Sequence, residues 1–222
     1  VSVDERTNTL VVRDTADAAA LGVTVVGYKK NSLIGIFRYE DVKRDAYQNA
    51  FSGVLGVLRA EKSFGLAFGD GTLPFEKYDA SSTFYAPLWS EQDVLMFNFA
   101  AGQVSFPSNQ IVAEGELYKM GGPSTVRGYF SQSPFAIGSK KLQFNVEWRH
   151  IFNEVFSSLV FYDYGGAYDA DLFTNLSTLL GSAFGYGFGA GLRANTPIGS
   201  MELTLAQNKV GQQLIHISLG AT

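Results

Sequence analysis

Apolar and polar residues alternate strictly through the second half of the chain. In 142–150, Leu142, Phe144, Val146 and Trp148 share one parity, and Gln143, Asn145, Glu147 and Arg149 the other. Successive side chains of a β-strand point to opposite faces, so this run predicts a strand with one apolar and one polar face. The run 156–168 puts Leu159, Phe161, Asp163 and Gly165 on one face and Val160, Tyr162 and Tyr164 on the other. At 200–207, Met201, Leu203 and Leu205 oppose Glu202 and Thr204. At 214–221, Ile215, Ile217 and Leu219 oppose His216 and Ser218. In 185–193 glycine alternates with mostly larger residues, so Gly187, Gly189 and Gly191 share a face with Arg193. Glycine weakens a strand unless another backbone must approach closely, so a segment folded against this face is expected.

The first half reads less sharply. Strands are predicted at 23–28, 33–42, 51–59, 64–68, 82–89 and 94–105, with a short candidate at 10–12 and an Ala-rich helical turn at 17–21. Lys29–Ser32 and Ala60–Ser63 read as connections. No run sustains a 3.6-residue period beyond ten residues. The expectation is an all-β chain: an antiparallel barrel of about twelve strands over 22–222, preceded by a segment 1–21 of unassigned role. The links 152–154 and 196–199 are short, whereas 105–140, 169–183 and 208–213 are read as longer. Short turns at one rim and long loops at the other is the arrangement of a transmembrane β-barrel. A soluble sandwich also alternates, but with its apolar face inward, and a single strand does not separate the two.

Composition narrows the field. Charged residues make up 17% of the 222 and aromatics 14%, with 18 Phe, 11 Tyr and 24 Gly. The net charge of −4 and the lack of a basic patch argue against nucleic acid as a partner. No run of 18 apolar residues exists, so no transmembrane helix is expected, while barrel strands hide their membrane signal in alternation. Val1–Arg6 carries no signal-peptide core, as in a mature or truncated chain. Without cysteine there is neither disulfide nor thiolate chemistry. His150 and His216 lie outside any nucleophile motif, and their separation gives no metal-ligand spacing. The glycine pattern is not G-x-G-x-x-G. Catalytic residues, metals and cofactors are therefore not expected.

One stretch stands apart: Gly121-Gly122-Pro123-Ser124-Thr125-Val126-Arg127-Gly128-Tyr129, within the long polar segment 105–140. It resembles the loop signature of the BamA/TpsB superfamily of bacterial outer-membrane barrels. Glu147-Trp148-Arg149, Phe161-Tyr162-Asp163-Tyr164-Gly165, and Gly191-Leu192-Arg193 with Thr196-Pro197-Ile198-Gly199 extend the resemblance over 82–221. The resemblance implies that 105–140 folds into the lumen of an outer-membrane barrel. It implies that Val126, Arg127, Gly128 and Tyr129 dock on the inner wall, where Arg127 pairs with Asp163 and Glu147 lies close. Phe161, Gly165, Gly187, Gly189, Gly191 and Arg193 would support that site. The parity agrees, since Glu147 and Asp163 fall on the polar faces of successive strands, and a guanidinium fork takes a carboxylate bidentately. The implied surroundings are membrane lipid and lipopolysaccharide, with a polypeptide client and with POTRA domains or other assembly subunits as partners. The implied role is a two-partner secretion pore or a membrane-protein assembly factor, the loop leaning to secretion. A barrel hydrolase is the enzyme alternative, and the two isolated histidines speak against it. Members of that superfamily usually end on an aromatic residue, whereas this chain ends Leu219-Gly220-Ala221-Thr222: either it was cut or altered, or its targeting differs.

Overall fold

A computed structural model of the chain describes residues 2–8, 28–45, 48–64, 74–107, 114–169, 183–196 and 199–220. Twelve strands are described: β1 (Ser2–Asn8), β2 (Tyr28–Arg44), β3 (Ala50–Ser63), β4 (Phe75–Pro87), β5 (Asp93–Ser105), β6 (Tyr118–Met120), β7 (Ala136–Gly138), β8 (Lys140–Ile151), β9 (Phe156–Tyr168), β10 (Phe184–Thr196), β11 (Gly199–Asn208) and β12 (Gln213–Gly220). Ten of them form one sheet in the order β1-β2-β3-β4-β5-β8-β9-β10-β11-β12. Every pairing in it is antiparallel. The remaining two, β6 and β7, pair only with each other, inside the long link between β5 and β8. Among the described residues ten strands therefore form the wall; β6 and β7, which the sequence did not predict, lie in the inserted loop, and the predicted strands at 10–12, 23–28 and 64–68 fall wholly or mostly outside the described residues.

The sheet curls so that distant strands face each other across a lumen. Asn195 on β10 donates a side-chain hydrogen bond to the Asn49 side chain, just before β3. Asn49 also donates to the carbonyl of Glu154, between β8 and β9, at 3.0 Å. The alternation places polar side chains inward. Gln143, Asn145, Glu147 and Asp163 are buried, while Phe144, Trp148, Val160 and Tyr162 are exposed. On β12, Ile215, Ile217 and Leu219 are about 70% exposed, and His216 between them is buried. A continuous outer face of this kind is too apolar to be left in water and needs an apolar medium around it. At the short-turn rim Trp89 and Trp148 meet edge to face at 6.4 Å, beside the exposed Phe152 and Phe156. Aromatic girdles of this kind mark the interfacial level of membrane barrels.

Several connections differ from their sequence reading. Lys29–Ser32 is not a turn: β2 runs through it, and Ser32 faces inward to donate to Glu61 at 2.9 Å. Ala60–Ser63 is likewise strand, the end of β3, with buried Glu61 paired to Arg59 and outward Lys62 paired to Glu76. Both runs look like turns because they are polar, but their polar groups find partners across the sheet. The link after β11 is only 209–212, closed by Asn208, whose side-chain oxygen accepts from the backbone of Val210 and Gln212. The segment 1–21 contributes β1, which pairs with Tyr28–Ile34 of β2. The candidates at 10–12 and 17–21, and most of 23–28 and 64–68, lie outside the described residues.

Candidate functional site

The long link between β5 and β8 enters the lumen and packs against its wall. A cluster of buried Phe75, Val104, Tyr118, Met120, Val126 and Ala167 joins loop to barrel, with Phe106, Leu117, Tyr129 and Phe135 packed on it. Local chemistry shapes the tip. Thr125 donates its amide to the carbonyl of Gly122 at 3.2 Å, closing a β-turn with Pro123 at its second position, where a fixed φ is pre-set. The Thr125 hydroxyl accepts from the Gly121 amide at 2.9 Å. Gly121, Gly122 and Gly128 have φ of 139°, 106° and 92°, angles that strain any residue with a Cβ.

This turn presents Arg127, 4% exposed, to the wall at Asp163, fully buried on β9. The guanidinium takes the carboxylate as a fork, Nε to Oδ2 at 2.7 Å and Nη2 to Oδ1 at 2.8 Å. The Arg127 backbone amide also donates to Oδ2, at 3.0 Å. Nη1 reaches Glu147 Oε1 at 2.9 Å and Glu202 Oε1 at 3.5 Å. The guanidinium carbon lies 3.5 Å from the centre of the Phe161 ring. Such a site is costly to leave half-filled, because a buried charge needs its partner and its hydrogen bonds together. Burial opposes the guanidinium's charge, but the bonds and charges of Asp163, backed by Glu147 and Glu202, outweigh it and raise the pKa above its usual value.

Neighbouring groups complete the cradle. Asn145 donates to Asp163 Oδ1 at 2.8 Å and to the Thr125 carbonyl at 2.9 Å, tying wall acid and loop backbone together. Asn145 and Asp163 are direct cross-strand partners. Asn208 donates to the carbonyl of Gly128 at 2.8 Å. His216 Nε2 accepts from the Gly128 amide at 2.9 Å, a role open only to a neutral imidazole carrying its proton on Nδ1. Glu147 also pairs with Arg149 at 2.8 Å, and Arg193 pairs with Glu202 through Nε at 2.9 Å.

The glycines of β10 divide into two roles. Gly187 sits beside Asp163 in register, and a Cβ there would lie 1.8 Å from the Arg127 carbonyl oxygen. Gly185 leaves room for Tyr129 and Phe135, whose rings pack 4.2 Å apart. Gly189 and Gly191 do not make room for the loop. A Cβ there would meet the backbone of β11 at Leu205 and Leu203, so these two serve close strand approach instead. Gly165 faces Met120 of the loop.

Of the residues read from sequence, Arg127, Asp163, Glu147, Phe161 and Gly187 converge within one contact shell, and Arg193 joins through Glu202. The tip holds Val126 buried and the Tyr129 hydroxyl 3.4 Å from the Lys209 amide. Asn145, Glu202 and His216 complete the site without having been assigned to it, as does Asn208, which was read as the start of a link. For the first three the signal was parity, each falling on the polar face of an alternating strand; Asn208 gave none, because β11 runs one residue past the predicted strand. His150 stands apart at the short-turn rim, 2.8 Å from Asp93.

The loop has a second anchor nearer its start. The Tyr118 ring lies between the ammonium groups of Lys77 and Lys141, 4.9 and 4.7 Å from its centre. Lys77 donates to the Glu116 carbonyl at 2.8 Å, and Lys141 pairs with Asp79 at 3.0 Å. Burial, with Asp79 beside it, pushes the Tyr118 hydroxyl pKa well up and keeps it neutral.

The sequence profile of the Omp85 superfamily domain matches residues 26–222. Among solved structures, BamA from Haemophilus ducreyi lacking POTRA domains 1–3 is similar, with a TM-score of 0.64 and 13% identity. The match covers 85% of this chain and 41% of that one, so it is a likeness of fold over less than half of the relative. No curated protein sequence matches the chain.

Proposed function

The chain belongs to the Omp85 superfamily, and we propose on that premise that it is a bacterial outer-membrane barrel that passes a polypeptide client outward. The observation that carries this reading is the loop tip seated in the lumen, with the Arg127 fork on Asp163. The fork is the charged centre of a tip that Asn145, Asn208 and His216 also hold by its backbone, so the plug is seated by directional polar contacts that a client could exchange for its own. The polar inner wall and apolar outer face support a water-filled passage bounded by lipid and lipopolysaccharide. His216 engages its Nε2 with the loop backbone, which favours a structural role for it over a hydrolytic one.

A second reading, insertion of other barrel proteins, draws on β12. Among the described residues it is paired on one side only, with β11. An unpaired edge is a template for another strand. POTRA domains or other subunits would then present the client. Depletion in the native host separates the readings. Loss of one secreted protein, with outer-membrane barrels at normal levels, supports the secretion pore. Parallel loss of many barrels supports insertion. Normal levels of both would sink the proposal.

A further inference from the structure

Below the docked loop, toward the short-turn rim, lies a polar cavity of about 490 Å³ that the loop contacts do not use. It is bordered by Arg38 and Arg44 of β2, Arg149 of β8 and Arg193 of β10, and Glu40 is the one carboxylate among its described lining residues. Arg38 and Arg44 both pair with Glu40, each at 2.6 Å. Arg149 and Arg193 pair with Glu147 and Glu202, which already share Arg127. Arg127, Arg149 and Arg193 are thus matched by Glu147, Glu202 and Asp163, whereas Arg38 and Arg44 share Glu40. The glutamates engage only part of each guanidinium, which carries five N–H donors in a planar fork. The cavity is thus short of one negative group and rich in donors directed at oxyanions.

We propose that this vestibule binds carboxylate groups, and that its ligand is an acidic, extended peptide segment. Its shape favours a chain over a single ion. A second cavity of about 620 Å³ lies under the loop tip and shares Tyr85, Arg193 and Ser200 with the first. Together they make an elongated passage leading from the rim to Arg127. A carboxylate at the mouth bridges Arg38 and Arg44, and a following one reaches Arg193. The guanidinium forks hold each bidentately, which gives orientation as well as attraction. The proposal rests on the reading that a polypeptide enters this barrel, and it adds the chemistry the entrance selects.

The test uses the full chain in detergent micelles and a fluorescently labelled hexaglutamate peptide, followed by anisotropy. Saturable binding that weakens as salt rises is expected. Arg38→Gln combined with Arg44→Gln weakens it about tenfold, the loss of one charge-assisted bidentate contact. Glu40→Gln tightens it severalfold, because it releases two guanidiniums; a merely destabilised barrel would not bind more tightly. Hexaglutamate binding indifferent to both changes, equal binding of hexalysine, or displacement by inorganic phosphate at the same concentration as by the peptide would each overturn the assignment. A secretion defect on depletion without peptide binding faults this site alone. Peptide binding without any secretion or barrel-assembly defect faults the proposed function instead.

Discussion

The two anchors of the lumenal loop use similar groups to different effect. At the tip, Arg127, Asp163 and Glu147 are all buried, and the fork is completed by a backbone amide and an asparagine. At the base, Lys77, Lys141 and Asp79 keep 15%, 23% and 21% of their side-chain surface in contact with solvent, and two ammonium groups lie over an aromatic ring. Water can replace a lost partner at the base and cannot at the tip. The tip is therefore the contact whose loss should be felt most, and the base, where Tyr118 shares a buried cluster with Val126, should keep the loop in place when the fork is removed.

The largest effect belongs to the tip. Arg127→Ala leaves buried Asp163 without its counter-charge and Glu147 with Arg149 alone, and should cost about 3–5 kcal/mol, read as a lower melting temperature in detergent and protease sensitivity within 114–135. Arg127→Lys keeps the charge, loses the fork, and should recover part of that. Asp163→Ala should cost a similar amount, and the double variant no more than the worse single; simple additivity in this cycle would show that the pair is not coupled.

Next comes the wall beside it. Gly187→Val drives a side chain into the Arg127 carbonyl and should cost about 1–3 kcal/mol by overpacking. Gly35→Ala on β2, with nothing within 4 Å of the added Cβ, should stay within about 0.5 kcal/mol. Equal effects at the two positions would deny the close approach at β10.

His216→Leu should cost about 1–3 kcal/mol, because the Gly128 amide is left buried without an acceptor. His216→Gln retains an acceptor and should restore most of the stability; failure of Gln to differ from Leu would remove the hydrogen bond from the account. Lys77→Gln at the base should cost about 1 kcal/mol, less than the tip changes, because its pair with Glu116 is long at 3.5 Å and an amide can still donate there; a small drop in melting temperature would show it. A loss there matching Arg127→Ala would invert the comparison.

Much of this was legible in the sequence where the relevant physics is local. The period-two runs at 142–150 and 156–168 reappear as β8 and β9, the latter with the same ends, because alternation reports a two-faced strand residue by residue. The same parity marked Glu147 and Asp163 as inward acids, and the Gly-Gly-Pro stretch as a tight turn. Reading failed where polarity has a non-local cause. Ser32 and Glu61 looked like turn residues because their partners are 29 positions apart in the chain and adjacent only in the sheet. Gly189 and Gly191 looked like room for the loop, yet their need for smallness comes from the backbone of β11.

By itself, then, the sequence determined the all-β class, the two-faced wall, the tight tip and the residue types able to clasp it, since backbone sterics and side-chain alternation act over a few residues. Only the tertiary structure decided that ten strands share the sheet while two ride in the loop. It alone decided that Asn145 joins Asp163 to Thr125, and that His216, 88 positions away, accepts the Gly128 amide. Those choices depend on how far the sheet curls and on which backbone groups must find partners once the loop has left water, and no local pattern encodes either.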